Sequence, residues 1–425
     1  MTDHSRRTFL ATLGGAIGGT LAVREGASWT QRKVGAVLSD DSHSRPSVPS
    51  LQVETPSRSL TARLSTRHPQ LNSIDAWNLR AGDGSVTQTP GATDSTSIGL
   101  LPSPVGRIEH TFERTFDYTQ SSLSVWVYFP STAPARLQFR LFAPDEDNQI
   151  VTTRYPSDSL ANTWFGIEIG PTDEVGSPDP TAITRIQIDI RGDRTPVVFD
   201  RFEMRPVAEM GHAMIIFDDN RASVATAYPE MTRRGIPGAV AVIPELVGDG
   251  GHLGKRHLET YDANGWDLLA HPQLDDPLPA YSPTEQREAI IRTKRWLVAN
   301  GYEAGADHFV APYGAVGPKT LELLAEFHHT NFLTSPGVLG TPPADPLTIN
   351  RVAIDDVQNA KRYMELAAKY DRTVALMAHT VGNKDDQWIS TRDFHEVLDQ
   401  LENSDLDVVT PTSYWSEVID LLSNR

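Results

Sequence analysis

The sequence contains no cysteine in 425 residues, and lysine is scarce. The absence of cysteine excludes disulfide scaffolds, thiolate metal sites and cysteine nucleophiles. No apolar run reaches the roughly 20 residues that a membrane-spanning helix needs. What remains is a chain long enough for two domains, whose hydrophobic content of 39% is sufficient to form buried cores.

Positive charge is scarce throughout the chain. Asp and Glu number 55 against 38 Lys and Arg, which gives a formal net charge of −17. Such a surface repels phosphate groups, so we expect no nucleic-acid partner. High acidity with little lysine also suits a protein kept soluble in concentrated salt, because screening weakens the repulsion between acidic groups. A halophilic protein, more stable in molar salt, is therefore predicted.

The amino terminus has the pattern of an export signal. Paired arginines at positions 6 and 7 precede a weakly apolar, Gly-rich stretch over residues 9–23. This order resembles a twin-arginine signal, so residues 1–36 are interpreted as a signal or anchor. We therefore expect export to the cell envelope or the extracellular space. No cleavage site is evident, which leaves this segment as the candidate for a membrane tether.

Two different patterns follow the signal. Residues 37–70 are rich in Ser, Pro and Asp and have no apolar period, which predicts a solvated linker. Residues 71–207 alternate apolar and polar side chains, for example over 123–129 and 186–190. This period of two indicates strands with one face in a core and the other in water. We predict an antiparallel, jelly-roll-like β-sandwich here.

Residues 211–425 instead alternate short apolar runs with amphipathic segments. Eight runs are strand candidates: 213–217, 238–243, 266–270, 308–311, 330–334, 349–354, 374–378 and 406–410. A helix is predicted over 282–300, which opens with a Ser-Pro-Thr-Glu capping box. Alternating strands and helices predict a distorted (β/α) barrel of seven or eight parallel strands. The fold class is thus multidomain, with an all-β sandwich followed by this barrel.

Polar residues directly follow several of these runs. Asp218 and Asp219 follow the first run, His271 the third, Tyr313 the fourth and His379 the seventh. Each has a purely structural interpretation when taken alone, such as helix capping by an aspartate. In a parallel barrel, however, the carboxyl ends of the strands meet at one end and form the site. The set therefore predicts a metal and acid/base site.

Four short motifs, in order, resemble those of the polysaccharide deacetylase family, which includes chitooligosaccharide and peptidoglycan deacetylases. Residues 217–220 (Phe-Asp-Asp-Asn) are similar to its Phe-Asp-Asp-Gly motif, and residues 271–275 (His-Pro-Gln-Leu-Asp) to His-Ser/Thr-x-x-His. Residues 310–314 (Val-Ala-Pro-Tyr-Gly) are similar to Arg-x-Pro-Tyr-Gly, and residues 376–379 to Leu-x-His with one extra residue. The resemblance covers about 211–422 and implies a carbohydrate esterase barrel.

The resemblance implies a divalent metal, with zinc as the expected ion. Asp219 and His271 would be ligands, and the positive charge of the ion would lower the pKa of a bound water. The second metal histidine of the family is replaced by Asp275, with the neighbouring Asp276 as the alternative ligand. Either carboxylate changes the net charge of the site.

The resemblance also implies acid/base roles. Asp218 would be the general base that takes a proton from water, and His379 the acid that protonates the departing amine or alcohol. The main-chain N–H of Tyr313 would stabilise the charge that develops on the acyl oxygen. The family arginine that orients the base is replaced by Val310, and Arg351, near another strand, is a candidate substitute.

These observations predict a metal-dependent hydrolase of non-peptide carbon–nitrogen bonds that removes acetyl groups from an extracellular or cell-envelope polysaccharide. Two alternatives stay open: a non-catalytic glycan-binding protein on a degenerate barrel, and a related hydrolase of small amides. The sandwich carries candidate exposed rings at Trp126, Tyr128, Trp164 and Phe165. These rings suit either sugar binding or packing in the core and between domains.

Overall fold

The computed structural model describes residues 51–82, 88–90, 96–192, 195–382 and 388–424. The predicted signal or anchor over residues 1–36 and the first part of the predicted linker lie outside these ranges. No helix within the described ranges is long and apolar enough to cross a membrane. The sandwich and the barrel belong to one compact unit, Ser50–Arg425.

Up to residue 206, the described strands form two antiparallel six-stranded sheets. They are β1 (Thr66–Arg67), β2 (Asn78–Ala81), β3 (Gln88–Pro90), β4 (Thr96–Leu100), β5 (Val105–Phe116), β6 (Ser121–Tyr128), β7 (Arg136–Phe142), β8 (Gln149–Arg154), β9 (Phe165–Glu168), β10 (Asp173–Val175), β11 (Ile183–Arg191) and β12 (Val197–Pro206). The first sheet has the order β3-β4-β12-β6-β9, with β1 on β12. The second has the order β10-β8-β7-β11-β5-β2. Alternate side chains such as Leu137, Phe139 and Leu141 are buried between the sheets, which confirms the predicted sandwich.

The strands after residue 210 are parallel. They are β13 (Gly211–Phe217), β14 (Ala239–Val242), β15 (Asp267–Ala270), β16 (His308–Val310), β17 (Thr330–Phe332), β18 (Val352–Ala353), β19 (Thr373–Ala378), β20 (Thr380–Val381), β21 (Trp388–Ile389) and β22 (Leu406–Val408). Eight of them form a sheet of order β17-β16-β15-β14-β13-β19-β18, with β22 on β13, while β20 and β21 pair separately. A parallel bridge between Phe332 and Ile349 links the β17 edge to the segment before β18. The sheet therefore curls into the predicted distorted barrel.

The described α-helices lie mainly in the barrel half. They are α1 (Ser57–Arg63), α2 (Val224–Arg233), α3 (Lys255–Ala263), α4 (Pro283–Ala299), α5 (Glu303–Ala306), α6 (Pro318–Phe327), α7 (Val357–Lys369), α8 (Thr391–Glu402) and α9 (Pro411–Ser423). Short 3₁₀ turns cover Ile74–Ala76, Asp158–Leu160, Asp218–Asn220, Pro244–Leu246, Leu278–Ala280 and Pro312–Gly314. The capping box at α4 forms as predicted, because the Glu285 N–H donates to Ser282 and the Ser282 N–H donates to Glu285.

The described part of the predicted linker is folded, which corrects that prediction. Helix α1 and strand β1 lie within residues 51–70. Leu64 is fully buried in a cluster that includes Tyr414 and Trp415 of α9. The guanidinium of Arg58 donates two hydrogen bonds to Asp345 of the barrel half. A Ser- and Pro-rich composition did not reveal these few anchoring residues.

The polar face of the first sheet is buried, whereas the sequence predicted that it faces water. On β6, Ser122, Ser124 and Trp126 are buried rather than facing water. The segment between β17 and β18 covers this face: the main-chain N–H of Gly166 on β9 donates to Asp345 at 3.2 Å. Alternation correctly indicated two faces, but barrel residues rather than solvent cover the polar one.

Candidate functional site

The two loops that carry the acidic pair and the tyrosine have unusual backbone conformations. Asp219, Asn220 and Tyr313 have φ angles of 65°, 40° and 59°, a region that non-glycine residues rarely adopt. The side-chain oxygen of Asn220 accepts a hydrogen bond from the Ile243 N–H at 2.8 Å. Only glycine fits at position 314, since a Cβ there would lie 2.0 Å from the Thr334 hydroxyl oxygen. Such strain recurs at functional sites, where surrounding contacts maintain it.

Asp218 directly follows the first barrel strand, β13, and forms a buried ion pair with Arg351. Nη1 and Nη2 of Arg351 donate to the two carboxylate oxygens at 2.6 and 2.9 Å, and Nε donates to the Leu333 carbonyl at 3.1 Å. Both side chains are almost completely buried. Arg351 thus holds the candidate base in the way that the sequence suggested for a substitute arginine. Asp218 does not cap the next helix, since α2 begins only at Val224 and has no side-chain cap.

Asp219 and His271 lie together next to this pair. Their Oδ1 and Nε2 atoms are 3.3 Å apart. His271 Nδ1 lies 2.8 Å from the Val310 carbonyl oxygen. Because a carbonyl only accepts, Nδ1 donates to Val310, so Nε2 is the ring atom that faces Asp219 and can hold a proton or a metal ion there.

The charges around this pair shift both pKa values. Burial alone would raise the pKa of Asp219, but the hydrogen bond and charge of His271, with His379 and Arg221, outweigh it and hold this pKa well below its ordinary value. Burial alone would lower the pKa of His271, but Asp219 and Asp218 outweigh it and raise this pKa. The pair therefore attracts positive charge, from a proton or a metal ion.

Asp219 and His271 fit two corners of a divalent metal site. Zinc–ligand distances of about 2.0–2.1 Å place two donors of a tetrahedral site roughly 3.3 Å apart, which matches the observed 3.3 Å separation. The carbonyl contact at Nδ1 of His271 is the usual outer support of a metal-binding imidazole. A third protein donor does not join them: across the described ranges, no three His, Asp or Glu side chains are placed to hold a metal ion.

Asp275 is the predicted third ligand that the structure does not bring to the site. The side chains of Asp275 and its alternative, Asp276, are exposed. An i, i+4 pair shares one face in a helix or in a strand, and residues 271–274 form neither. The family spacing therefore does not place an oxygen of Asp275 beside His271.

His379 and Tyr313 border the same end of the barrel. Nε2 of His379 lies 3.8 Å from Oδ2 of Asp218, and 19% of its side chain is exposed. Tyr313 is 61% exposed, and its hydroxyl donates to the carbonyls of Leu274 and Asp275 at 3.0 Å. A substrate group can therefore reach both residues. The role of the Tyr313 main-chain N–H stays a prediction.

Sequence reasoning missed two residues at this end, Arg221 and His252. Nη2 of Arg221 donates to Oδ2 of Asp219 at 3.1 Å, and Arg221 forms an antiparallel bridge with His252. Burial and the charge of Arg221 lower the pKa of His252. Arg221 could have been noted because it lies two positions after Asp219. Nothing in the sequence connects His252 to the site.

The chain is similar to several solved structures at low sequence identity. No family model matches it, and no curated protein matches it either. The Xyl-CE4 domain of a multidomain xylanase, from the hindgut metagenome of Trinervitermes trinervoides, has a TM-score of 0.37 and 14% identity over 49% of this chain and 91% of that one. A mutant of the peptidoglycan deacetylase PdaC from Bacillus subtilis has a TM-score of 0.36 and 12% identity over 51% and 95%.

The sandwich has its own structural relatives. A family 11 carbohydrate-binding module from Clostridium thermocellum, solved with a β-1,3-1,4-mixed-linked tetrasaccharide, has a TM-score of 0.27 and 12% identity over 33% of this chain and 95% of that one. Likenesses at these scores carry no argument about activity. Function has to be inferred from the side chains of this chain.

Proposed function

We propose that this protein is a metal-dependent hydrolase that removes acetyl groups from a polysaccharide outside the cell. The observation that carries the proposal is one cluster at the carboxyl end of the barrel: Asp218 held by Arg351, His379 within 3.8 Å of Asp218, and the Asp219–His271 pair. This cluster contains a base, an acid and a cation-attracting pair. The location outside the cell is inferred from the export signal predicted over residues 1–36, and it stays a prediction.

In the proposed reaction, Asp218 takes a proton from a water molecule while the water oxygen bonds to the acetyl carbonyl carbon. Arg351 keeps both oxygens of Asp218 in place by its two hydrogen bonds. The bond from the carbonyl carbon to the sugar nitrogen or oxygen then breaks, and His379 gives its proton to that atom. The products are acetate and the free amine or alcohol.

Asp219 and His271 are the residues that would hold the metal. A divalent ion bound there makes water more acidic and polarises a carbonyl group. Arg221 shares Asp219 through one hydrogen bond, so metal binding has to compete with this guanidinium. With two protein donors, the remaining coordination positions are left to water and substrate.

Two matched carboxylate variants test the metal site. We expect Asp219→Asn to abolish bound metal and Asp275→Asn to leave it unchanged, because only Asp219 faces His271. The metal-to-protein ratio of the purified full chain, measured in high salt before and after a chelator, checks this. Equal metal loss in both variants would restore Asp275 as a ligand and contradict the two-donor site.

Acetate release from acetylated chitooligosaccharides and acetylated xylooligosaccharides tests the chemistry. We expect Asp218→Asn to retain metal and to lose about 10²–10⁴-fold in acetate release. Turnover of small cyclic amides without acetate release would instead favour the alternative amide hydrolase.

A non-catalytic glycan-binding protein is the second candidate. It is favoured by one specific observation, since no third donor joins Asp219 and His271 among the described residues. Sugar binding by protein that holds no metal and releases no acetate would establish it.

A further inference from the structure

A groove on the sandwich lies outside the candidate active site. It has a volume of about 500 Å³ and is lined by Arg58, Trp126, Asn162, Trp164 and Arg201, with smaller side chains from α1 and the loop before β9. We call it the aromatic groove. Of the four rings predicted as exposed, Phe165 is buried in the core and Trp126 is only 8% exposed. Trp164 and Tyr128 are half-buried.

The backbone around the aromatic groove is strained in the same manner as the candidate active site. Asn162 and Arg201 have φ angles of 60° and 52°. The pairing of β12 with β6 shifts register between Asp200 and Glu203, which places a β-bulge at Arg201. Bulges commonly redirect a side chain, and the Arg201 guanidinium lies 5.1 Å from the centre of the Trp126 ring. Non-glycine residues in this conformation are characteristic of ligand-binding segments.

The polar atoms of the aromatic groove are arranged for hydrogen bonding. Arg58 uses Nε and Nη2 on Asp345, and Arg201 uses Nε and Nη2 on Glu203. Among the described residues, the buried Nε1 of Trp126 has no hydrogen-bond partner. A buried donor without a partner costs free energy unless a ligand or water satisfies it.

The charge of the aromatic groove indicates an uncharged ligand. Both guanidiniums that line the groove are offset by a carboxylate: Arg58 pairs with Asp345, and Arg201 pairs with Glu203, which the buried Arg205 shares. The chain as a whole carries a net charge of −17, which repels anionic polymers. Trp164 lies against Tyr128 with ring centres 5.4 Å apart, and a partly exposed ring next to hydrogen-bond donors is the surface on which sugar rings stack.

We propose that the aromatic groove is a second glycan-binding site, which takes a neutral, hydroxyl-rich polysaccharide chain. A sugar ring stacks on Trp164, and its hydroxyl groups accept hydrogen bonds from Arg58 and Arg201. This site is separate from the candidate active site and does not depend on catalysis. It would concentrate the protein on a polymer whose acetyl groups the barrel removes.

Affinity electrophoresis tests the aromatic groove directly. The full chain carrying Asp218→Asn is run through gels that contain mixed-linkage β-glucan, xylan, glycol chitin or, as the acidic comparison, polygalacturonate. We expect at least one neutral polymer to retard the protein. Trp164→Ala should weaken that retardation at least tenfold, and Trp164→Phe should restore most of it.

Trp296→Ala is the matched control, since Trp296 is a half-buried tryptophan on α4 outside the aromatic groove. It should leave retardation unchanged. Retardation of Trp164→Ala equal to that of the parent protein would overturn the proposal, as would retardation by polygalacturonate alone. A groove that instead takes a peptide, such as the chain before α1, would give no retardation in any gel.

Acetate release separates this proposal from the proposed function. On the otherwise unmodified chain, Trp164→Ala should release acetate from a short acetylated oligosaccharide at the parental rate and lose activity on the polymer. If no variant releases acetate but the Trp164 effect on retardation remains, the aromatic groove stands and the hydrolase proposal fails.

Discussion

Two buried carboxylates, one in the barrel and one in the sandwich, have opposite surroundings. Asp218 and Glu168 are 4% and 6% exposed. Arg351 donates to both oxygens of Asp218, whereas neither oxygen of Glu168 has a hydrogen-bond partner among the described residues. Burial raises the pKa of Glu168, although the positive charges of Arg205 and Arg372 and the nearby Ser122 hydroxyl oppose this rise. The two carboxylates are thus similarly buried, but only Asp218 is hydrogen-bonded by a guanidinium.

The difference lies in where the neighbouring guanidiniums direct their donors. Arg205 donates to Ser124 and Glu203. Arg372 donates to the carbonyls of Tyr370 and Tyr118. Both are charged neighbours of Glu168 without bonding it, so a nearby positive charge is no substitute for a directed hydrogen bond. We infer that Asp218 is positioned for a task and that Glu168 is tolerated at a structural cost.

Removing the guanidinium from Asp218 should have the largest effect on stability. Arg351→Gln leaves a buried carboxylate with neither of its donors, and such a loss typically costs about 3–5 kcal/mol. Urea unfolding followed by tryptophan fluorescence measures the change in the free energy of unfolding. The double variant Asp218→Asn with Arg351→Gln should recover part of the loss, because no unpaired charge remains.

The control for this prediction is an exposed pair. Arg392 is 84% exposed where it contacts Asp393, and exposed ion pairs contribute about 0–1 kcal/mol. Arg392→Gln should therefore have a small effect. If Arg351→Gln costs no more than Arg392→Gln, the buried pair does not hold Asp218 as described.

At Glu168 we expect a substitution to raise the free energy of unfolding rather than to lower it. Glu168→Gln removes a buried charge to which neither Arg205 nor Arg372 donates a hydrogen bond, so the variant should be more stable than the parent by about 1 kcal/mol near neutral pH. The same urea titration measures it. A loss of stability comparable with that of Arg351→Gln would show that Glu168 is held by Arg205 and Arg372 after all.

The sequence predicted the strands, the helix cap and the residues at strand ends correctly, because these features depend on residues that are close together in the chain. Each of the eight apolar runs overlaps a strand of the barrel sheet, because a fully buried strand needs only a short apolar segment between polar turns. The capping box before α4 formed because its two residues are three apart and both hydrogen bonds lie within one helical turn. Asp218, Asp219 and His271 converge for a similar reason, since each follows a parallel strand directly.

Contacts between distant segments were beyond the sequence. Arg351 lies 133 positions from Asp218, and its position near a strand could suggest the pair without placing it. Asp275 does not join Asp219 and His271, because an i, i+4 spacing places two side chains on one face in a helix or a strand and this segment forms neither. Alternation on β6 showed that one face is polar, but only the fold shows that barrel residues cover it. Sequence order therefore predicted which residues end strands better than which residues meet.

The smallest expected effect is a pH dependence that belongs to Glu168 alone. Its pKa in the folded protein is raised above the ordinary 4.5, so the folded state binds this proton more tightly than the unfolded state. The destabilising effect of the charge is complete above the folded pKa, and it declines as pH falls from there towards 4.5. The advantage of Glu168→Gln over the parent should therefore shrink as the pH of the urea titration is lowered through this window. Trp296→Ala, which changes no titratable group, should differ from the parent by the same amount at every pH. An advantage of Glu168→Gln that grows as pH falls would mean that the folded protein favours the ionised carboxylate, and the contrast with Asp218 would then disappear.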